Sequence, residues 1–196
     1  MDVNFKRNLI VSSTISMLIL IVSSTASYLS IKSLLSTSNM VNHTHEVIYN
    51  LNGATMVMLD AQTGMRGFLV SGREDFLRRY VNAESESDAY IEKLEGLVQD
   101  NELQQKNIHQ LKPLKKQFFD YLATRIEEKR KGQTVDAKEL DAGRRYMDNI
   151  RIVFKRMETE EQNLLKERIA SSEKYGSYSI ILIISAALIA MFMSIL

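Results

Sequence analysis

Apolar residues follow two patterns along this chain: long uninterrupted runs, and stripes that recur every three to four residues. Two runs, residues 9–31 and 178–196, contain no charged side chain. Each is long enough to cross a hydrocarbon core of about 30 Å at about 1.5 Å per residue. The runs therefore predict two transmembrane helices. A cleaved signal peptide is the alternative for the first run, and a buried core helix is the alternative for the second.

Between these runs, the stripes predict four helices. The first continues from the first run to about residue 69, with inward positions at Leu34, Val41, Ile48, Leu51, Thr55, Met58, Gln62 and Met65. The second begins near Arg73, the third near Glu102 and the fourth near Asp136. Gly72 and Gly132 fit the turns that precede the second helix and follow the third. The predicted fold is all-α: an extracytoplasmic four-helix bundle whose long first and fourth helices are continuous with two transmembrane helices.

Charges beside the first run set the orientation. Lys6 and Arg7 precede this run, and the positive-inside rule places them in the cytoplasm. Residues 1–8 are then a cytoplasmic N-terminus, and residues 32–177 form an extracytoplasmic domain between the two spans. We therefore expect a two-pass protein of the inner (plasma) membrane, in contact with membrane lipid.

Helix lengths predict a homodimer. At about 1.5 Å per residue the first and fourth helices are longer than the second and third, which leaves a two-helix stalk next to the membrane. A second copy is needed to cover its apolar stripe, which includes Leu34, Val41, Phe154, Leu165 and Ile169. Small side chains permit close contact between helices in a membrane, and we expect such contacts at Ser12, Ser16, Ala186, Ala190 and Ser194.

Composition excludes several partners and chemistries. Lys+Arg 25 and Asp+Glu 24 leave the chain almost neutral, which argues against nucleic acid, because phosphates require a basic face. Without cysteine, the chain has no disulfide and no thiolate metal site. His43 and His45 point to different sides of a helix, so they do not share a metal ion. Since the sequence has no nucleotide-binding loop and no nucleophile–base spacing, we expect no catalytic residues, no cofactor and no metal, and interpret the chain as non-enzymatic.

Candidate functional residues concentrate in residues 59–72, which read LDAQTGMRGFLVSG. Gly64 and Gly67 lie on one side of a helix, and their missing side chains permit a neighbouring helix to come close. Asp60 and Arg66 bring an acid and a base into the same stretch. The alternative interpretation is the start of a glycine-rich loop.

The fourth helix carries a second pair of charges. Asp148 and Arg151 lie three residues apart on one face. Counting residues from the top of the bundle places Asp60 and Arg151 at similar depths, which predicts an ion pair between these two side chains. We therefore expect Asp60, Arg66, Asp148 and Arg151 to form a partly buried polar layer. The alternative is that all four charges are solvated.

The stretch DAQTGMRGFLVSG resembles the signature Asp-Ala-Glu-Thr-Gly-x-Arg-Gly-Tyr-Leu-Leu-x-Gly of CHASE type 3 domains, the sensory extracellular domains associated with cyclases and histidine kinases. Further matches in the first and fourth helices are His43, Thr44, Val47, Gly143, Met147, Asp148, Ile150, Arg151, Glu161, Leu164, Leu165 and Arg168. The resemblance covers residues 40–170. Gln62 stands where the family usually has a glutamate.

The resemblance implies an all-helical sensor domain of a transmembrane signalling receptor. It implies structural or signalling roles for Asp60, Thr63, Gly64, Arg66, Gly67, Asp148, Arg151 and Glu161. We expect the chain to be the sensing and transmembrane part of a longer receptor, a two-component sensor histidine kinase, which passes a small-molecule or protein stimulus to a cytoplasmic output domain in cis or in trans. One alternative is a structural dimerisation stalk without ligand sensing, and another is a bundle that binds haem or metal.

Overall fold

All regular structure is helical in the computed structural model, which describes residues 3–134 and 136–195. The α-helices are α1 (Val3–Ser71), α2 (Ala83–Leu97), α3 (Glu102–Arg130) and α4 (Ala137–Ile195), and a 3₁₀ helix (Glu74–Arg79) lies between α1 and α2. The all-α prediction is confirmed. The described residues divide into two compact units: a central unit, His43–Asn163, and a terminal unit made of the residues up to Asn42 and those from Leu164 onward.

The core of the central unit takes side chains from all four α-helices. Its fully buried members with the largest side chains include Met58, Met65, Ile91, Leu94, Ile108, Leu111, Phe118, Leu122, Met147, Ile150 and Met157. In each helix these positions recur at spacings of three, four or seven residues, so one apolar face of each helix enters the core. Unbranched methionine side chains adapt to irregular gaps, which explains their frequency here.

A buried hydrogen bond fixes the height of α4 against α1. Gln62 is 7% exposed, and its Nε2 donates to the carbonyl oxygen of Gly143 at 2.8 Å. The α3 residue Tyr121 packs against the same point, since a Cβ at Gly143 would lie 2.6 Å from Cε1 of Tyr121. α3 and α4 therefore approach closely at the level of Gln62.

The chain reversal after α1 differs from the prediction of one continuous second helix. Gly72 has φ +70°, a left-handed conformation that glycine adopts without strain, and its N–H donates to the carbonyl oxygen of Phe68 at 2.8 Å. The next residues form the 3₁₀ helix, and α2 begins only at Ala83. The tighter winding places Leu77 in the core, where it is 3% exposed, and leaves the adjacent Phe76 against α1.

The terminal unit contains the apolar parts of α1 and α4. Among the described residues, one helix segment, Ile10–Ser71, is long and apolar enough to cross a membrane by length and composition. The second span, residues 178–196, stays a prediction. Ser12, Ser16 and Ala186 are partly buried in this unit, whereas the side chains of Ala190 and Ser194 lie outside the described part of the chain.

Candidate functional site

A groove with a volume of about 1010 Å³ lies where the end of α1 meets the 3₁₀ helix. We call it the tip groove. Its lining consists of Thr63, Gly64, Arg66, Gly67, Val70, Ser71, Asp75, Phe76, Arg78 and Arg79. Four of the eight residues singled out from the sequence as signalling or structural candidates are therefore in one place.

The two helical glycines bring the 3₁₀ helix directly onto α1. A Cβ at Gly64 would lie 2.6 Å from the carbonyl oxygen of Phe76, and the Phe76 ring occupies the place of a Cβ at Gly67. A larger residue at Gly64 would press on the backbone of the 3₁₀ helix, and a larger residue at Gly67 would displace the Phe76 ring. The spacing of three residues thus produces a flat contact surface on α1, and Phe76 is the residue that fills it.

Two arginines neutralise the carboxylates at this end of the central unit. Nη1 of Arg79 is 3.0 Å from Oδ1 of Asp60, and both side chains are about half exposed or more. Arg73 binds Asp75 with two hydrogen bonds of 3.1 and 2.6 Å. The hydrogen bond and charge of Arg73 lower the pKa of Asp75 below its ordinary value, and the same pair raises the pKa of Arg73. Both carboxylates are therefore paired with a guanidinium group.

Two other guanidinium groups in the tip groove, those of Arg66 and Arg78, form no ion pair within the described residues, although the charge of Arg78 also helps to lower the pKa of Asp75. Arg66 is exposed, and it has no hydrogen bond or ion pair within the residues that the structure describes. Nε of Arg78 donates to the backbone carbonyl oxygen of Asp75 at 3.3 Å, and its terminal nitrogens bind no group in the part of the chain that the structure describes. The exposed hydroxyl of Thr63 also has no partner in residues 3–134 and 136–195. The groove consequently presents several unused hydrogen-bond donors.

A further ion pair ties the 3₁₀ helix to the end of α3. Nε and Nη2 of Arg130 lie 2.9 and 2.8 Å from the two carboxylate oxygens of Glu74. These hydrogen bonds lower the pKa of Glu74, and the carboxylate raises the pKa of Arg130. The guanidinium of Arg130 also lies 6.0 Å from the ring centre of Phe68 on α1. The 3₁₀ helix is therefore anchored on two sides.

The predicted ion pair between Asp60 and Arg151 is wrong. Asp60 binds Arg79, whereas Arg151 lies 3.4 Å from Asp148 on its own helix, and both members of the second pair are half exposed. The predicted buried layer of Asp60, Arg66, Asp148 and Arg151 therefore does not form.

The error lies in the register between α1 and α4. Gln62 on α1 contacts Gly143 on α4. Measured from this contact in the same direction, Arg151 lies eight residues away along α4 and Asp60 lies two residues away along α1. At about 1.5 Å per residue these offsets are about 12 and 3 Å, so the two side chains are separated by about 9 Å along the helix axes. Arg151 instead lines a different, smaller cavity, together with Leu51 and Thr55.

Sequence analysis missed a buried polar cluster around Glu161. Nε2 of Gln104 donates to Oε1 of Glu161 at 2.9 Å and to the carbonyl oxygen of Met157 at 3.0 Å. Nδ2 of Asn107 donates to Gln104 at 3.2 Å, and Arg156 donates to Asn107 at 3.3 Å. Gln104 is fully buried and Glu161 is 2% exposed. A signal existed, because Gln104 lies seven residues before the core residue Leu111, on the inward stripe of α3.

Comparison with known proteins gives one match. The family model of the CHASE3 domain matches residues 37–171, which is more than half of the chain and includes both the tip groove and the Glu161 cluster. No curated protein matches, and no solved structure matches.

Proposed function

We propose, from the premise that this chain belongs to the CHASE3 domain family, that it is the sensory input and transmembrane signalling module of a bacterial-type receptor. The match over residues 37–171 confirms the resemblance to CHASE type 3 domains. CHASE3 is a sensory extracellular domain of signalling receptors such as histidine kinases and cyclases. In this proposal the chain passes a small-molecule or protein stimulus to a cytoplasmic histidine kinase in cis or in trans.

The proposed topology has two membrane crossings. The N-terminus with Lys6 and Arg7 lies in the cytoplasm, and residues 32–177 lie outside. The apolar segment of α1 is the support for the first crossing. The uncharged run of residues 178–196 is the support for the second.

A homodimer is part of the proposal. Several large apolar side chains of α1 and α4 lie outside the two apolar runs and are well exposed: Leu34 61%, Leu35 62%, Tyr49 67%, Met56 65% and Ile152 59%. Large exposed apolar side chains of this kind are candidates for a surface that a partner covers. A second copy of the chain presents the same patches, as a two-fold interface requires.

The observation that carries the proposal is that α1 includes both the tip-groove residues and the apolar run. A stimulus acts on an output domain only through its differential affinity for two arrangements of the receptor. A helix that contains both segments is a physical route by which binding changes the position of the membrane segment. α4 includes its own apolar run in the same way.

The test is a chimaera in which the chain is fused, after residue 196, to the cytoplasmic part of a histidine kinase. Autophosphorylation in membrane vesicles is measured across a panel of small molecules and after two glycines are inserted beside Gly176, within α4. A ligand-dependent change that the insertion abolishes supports sensing. The matched control is Gly176→Ala, which meets nothing within 4 Å and should keep the response.

A structural dimerisation stalk gives the opposite pattern in this experiment. The kinase would be active, the chain would be dimeric by crosslinking, and no compound in the panel would change the phosphorylation level. A response that survives the glycine insertion would also contradict transmission through a continuous α4.

A further inference from the structure

We propose that the tip groove binds a small organic carboxylate, whose carboxylate group is held by Arg66 and Arg78 and whose apolar part lies against Phe76 and Val70. This inference rests on the proposed function, because it assigns the class of molecule that the sensor detects. It commits to a carboxylate with an apolar body rather than to a cation, a polyanion or a peptide.

The distribution of charge favours a small anion. Of the four arginines around the tip groove, Arg73 and Arg79 are held by Asp75 and Asp60. Arg66 and Arg78 keep terminal nitrogens that bind no other side chain in the described residues. A planar guanidinium donates two parallel hydrogen bonds to a carboxylate, and Arg66 and Arg78 line the same groove.

The apolar part of the lining favours an organic ligand over an inorganic ion. Val70 is 87% exposed and Phe76 is 41% exposed, although both are large apolar side chains at the groove. Burying apolar surface contributes about 25 cal/mol per Å², so a ligand that covers these two side chains gains affinity from them. Small-molecule sites combine such apolar walls with a few placed polar groups.

Contacts within the protein hold Phe76, the proposed apolar wall, in place. The Phe76 ring fills the space over Gly67, and the Arg73 guanidinium lies 5.6 Å from the centre of the ring. Glu74 and Arg130 hold the 3₁₀ helix that carries Phe76 and Arg78. A ligand therefore does not have to order Phe76 or the backbone that carries Arg78, and the ordering cost falls on the exposed Arg66 and on the end of the Arg78 side chain.

The experiment uses the full chain in detergent micelles and three probes: benzoate, its neutral analogue benzamide, and inorganic phosphate. Binding is measured by saturation-transfer NMR and by calorimetry. The expected result is that benzoate binds, whereas benzamide and phosphate bind at least tenfold more weakly. Arg66→Ala and Arg78→Ala should each weaken benzoate binding at least tenfold. The matched control is Arg145→Ala, which removes an exposed guanidinium from α4 outside the groove.

Several results would overturn the proposal. Equal binding of benzoate and benzamide excludes a role for the charge, and phosphate binding without benzoate binding excludes the organic ligand. Loss of benzoate binding in Arg145→Ala to the same extent shows a general effect of net charge. The probe comparison needs only the unmodified chain, so the test remains decisive even if a variant does not fold.

The inference and the proposed function fail in different ways. If benzoate binds as expected but no compound changes the phosphorylation of the kinase chimaera, the groove is a site and the sensing proposal is wrong. If the chimaera responds to another compound while no carboxylate probe binds the groove, the sensing proposal stands and this inference is wrong.

Discussion

Nε2 of Gln62 donates a 2.8 Å hydrogen bond to the carbonyl oxygen of Gly143, and this one contact relates the height of α1 to that of α4. Gln62→Met keeps the size of the side chain and removes the donor. We expect the variant to lose about 0.5–1.5 kcal/mol of unfolding free energy, because one buried hydrogen bond is lost while the Gly143 carbonyl remains within α4. Thermal and chemical unfolding of the full chain, followed by circular dichroism, measures the loss. Gln117→Met, at an exposed position of α3, is the control and should be nearly neutral.

A glutamate at the same position makes a second, related test. An ionised carboxylate has no N–H to donate, so Gln62→Glu should also be less stable at neutral pH and should recover part of the loss at acidic pH, where a protonated carboxyl donates again. Unfolding midpoints at pH 7 and pH 4 compare the two conditions. Unchanged stability at both would mean that the Gly143 contact contributes nothing to the register.

The glycines at the tip groove should be intolerant of a methyl group. Gly64→Ala places a Cβ 2.6 Å from the backbone oxygen of Phe76, and forced overpacking of this kind costs about 1–3 kcal/mol. Gly96→Ala is the matched control on α2, where nothing lies within 4 Å. A helical Gly→Ala change at such a site should stabilise by about 0.4–1 kcal/mol. Opposite signs for the two variants are the expected outcome; the same sign would show that the 3₁₀ helix does not need the close contact.

The buried cluster should matter more for stability than the exposed pair on α4. Gln104→Leu removes the donor to Glu161 and leaves a carboxylate buried without its partner, which costs at least about 1–3 kcal/mol. Arg151→Ala breaks a pair whose members are each 50% exposed, and such pairs contribute about 0–1 kcal/mol. Urea unfolding of the two variants under one set of conditions measures the ratio. A larger loss for Arg151→Ala would support the buried polar layer that the sequence predicted.

The Glu74–Arg130 pair should make stability depend on pH in the acid range. Hydrogen bonds from Arg130 lower the folded-state pKa of Glu74 below the ordinary value of 4.5. The pair therefore stabilises the fold fully above pH 4.5 and loses this contribution as the pH falls through the lowered pKa. Glu74→Gln should be less stable than the unmodified chain at pH 7, and the difference should shrink below about pH 4.

A pH series of thermal unfolding curves checks this prediction. The control is Glu92→Gln, an exposed position of α2 with no ion pair among the described residues. Its difference from the unmodified chain should change much less over the same range. A Glu74→Gln difference that is constant from pH 7 to pH 3 would mean that the Arg130 pair is not formed in solution.

Sequence reasoning predicted the positions of the helices better than it predicted the contacts between them. Periodic apolar positions and the glycines at 72 and 132 locate most helix ends, because these signals are local. The pairing of Asp60 was wrong because spacing along a helix carries no information about the offset between two helices. That offset was set by Gln62, whose long-range hydrogen bond has no local signature. The 3₁₀ helix was missed for a similar reason, since the contact of Phe76 with Gly64 and Gly67 of α1 has no local signature in residues 74–79.

The contact of Phe76 with Gly64 and Gly67 distinguishes residues of the motif that build the scaffold from residues that only line the groove. The glycines allow the 3₁₀ helix to pack closely on α1, and this structural role does not depend on which ligand the groove holds. Thr63, Val70 and Arg78 face the same groove without contributing to that contact. Substitutions at these three positions can therefore change chemical preference while the scaffold stays intact. Receptors that share the glycine spacing would then have the same scaffold at this end and would differ in the molecule that they bind.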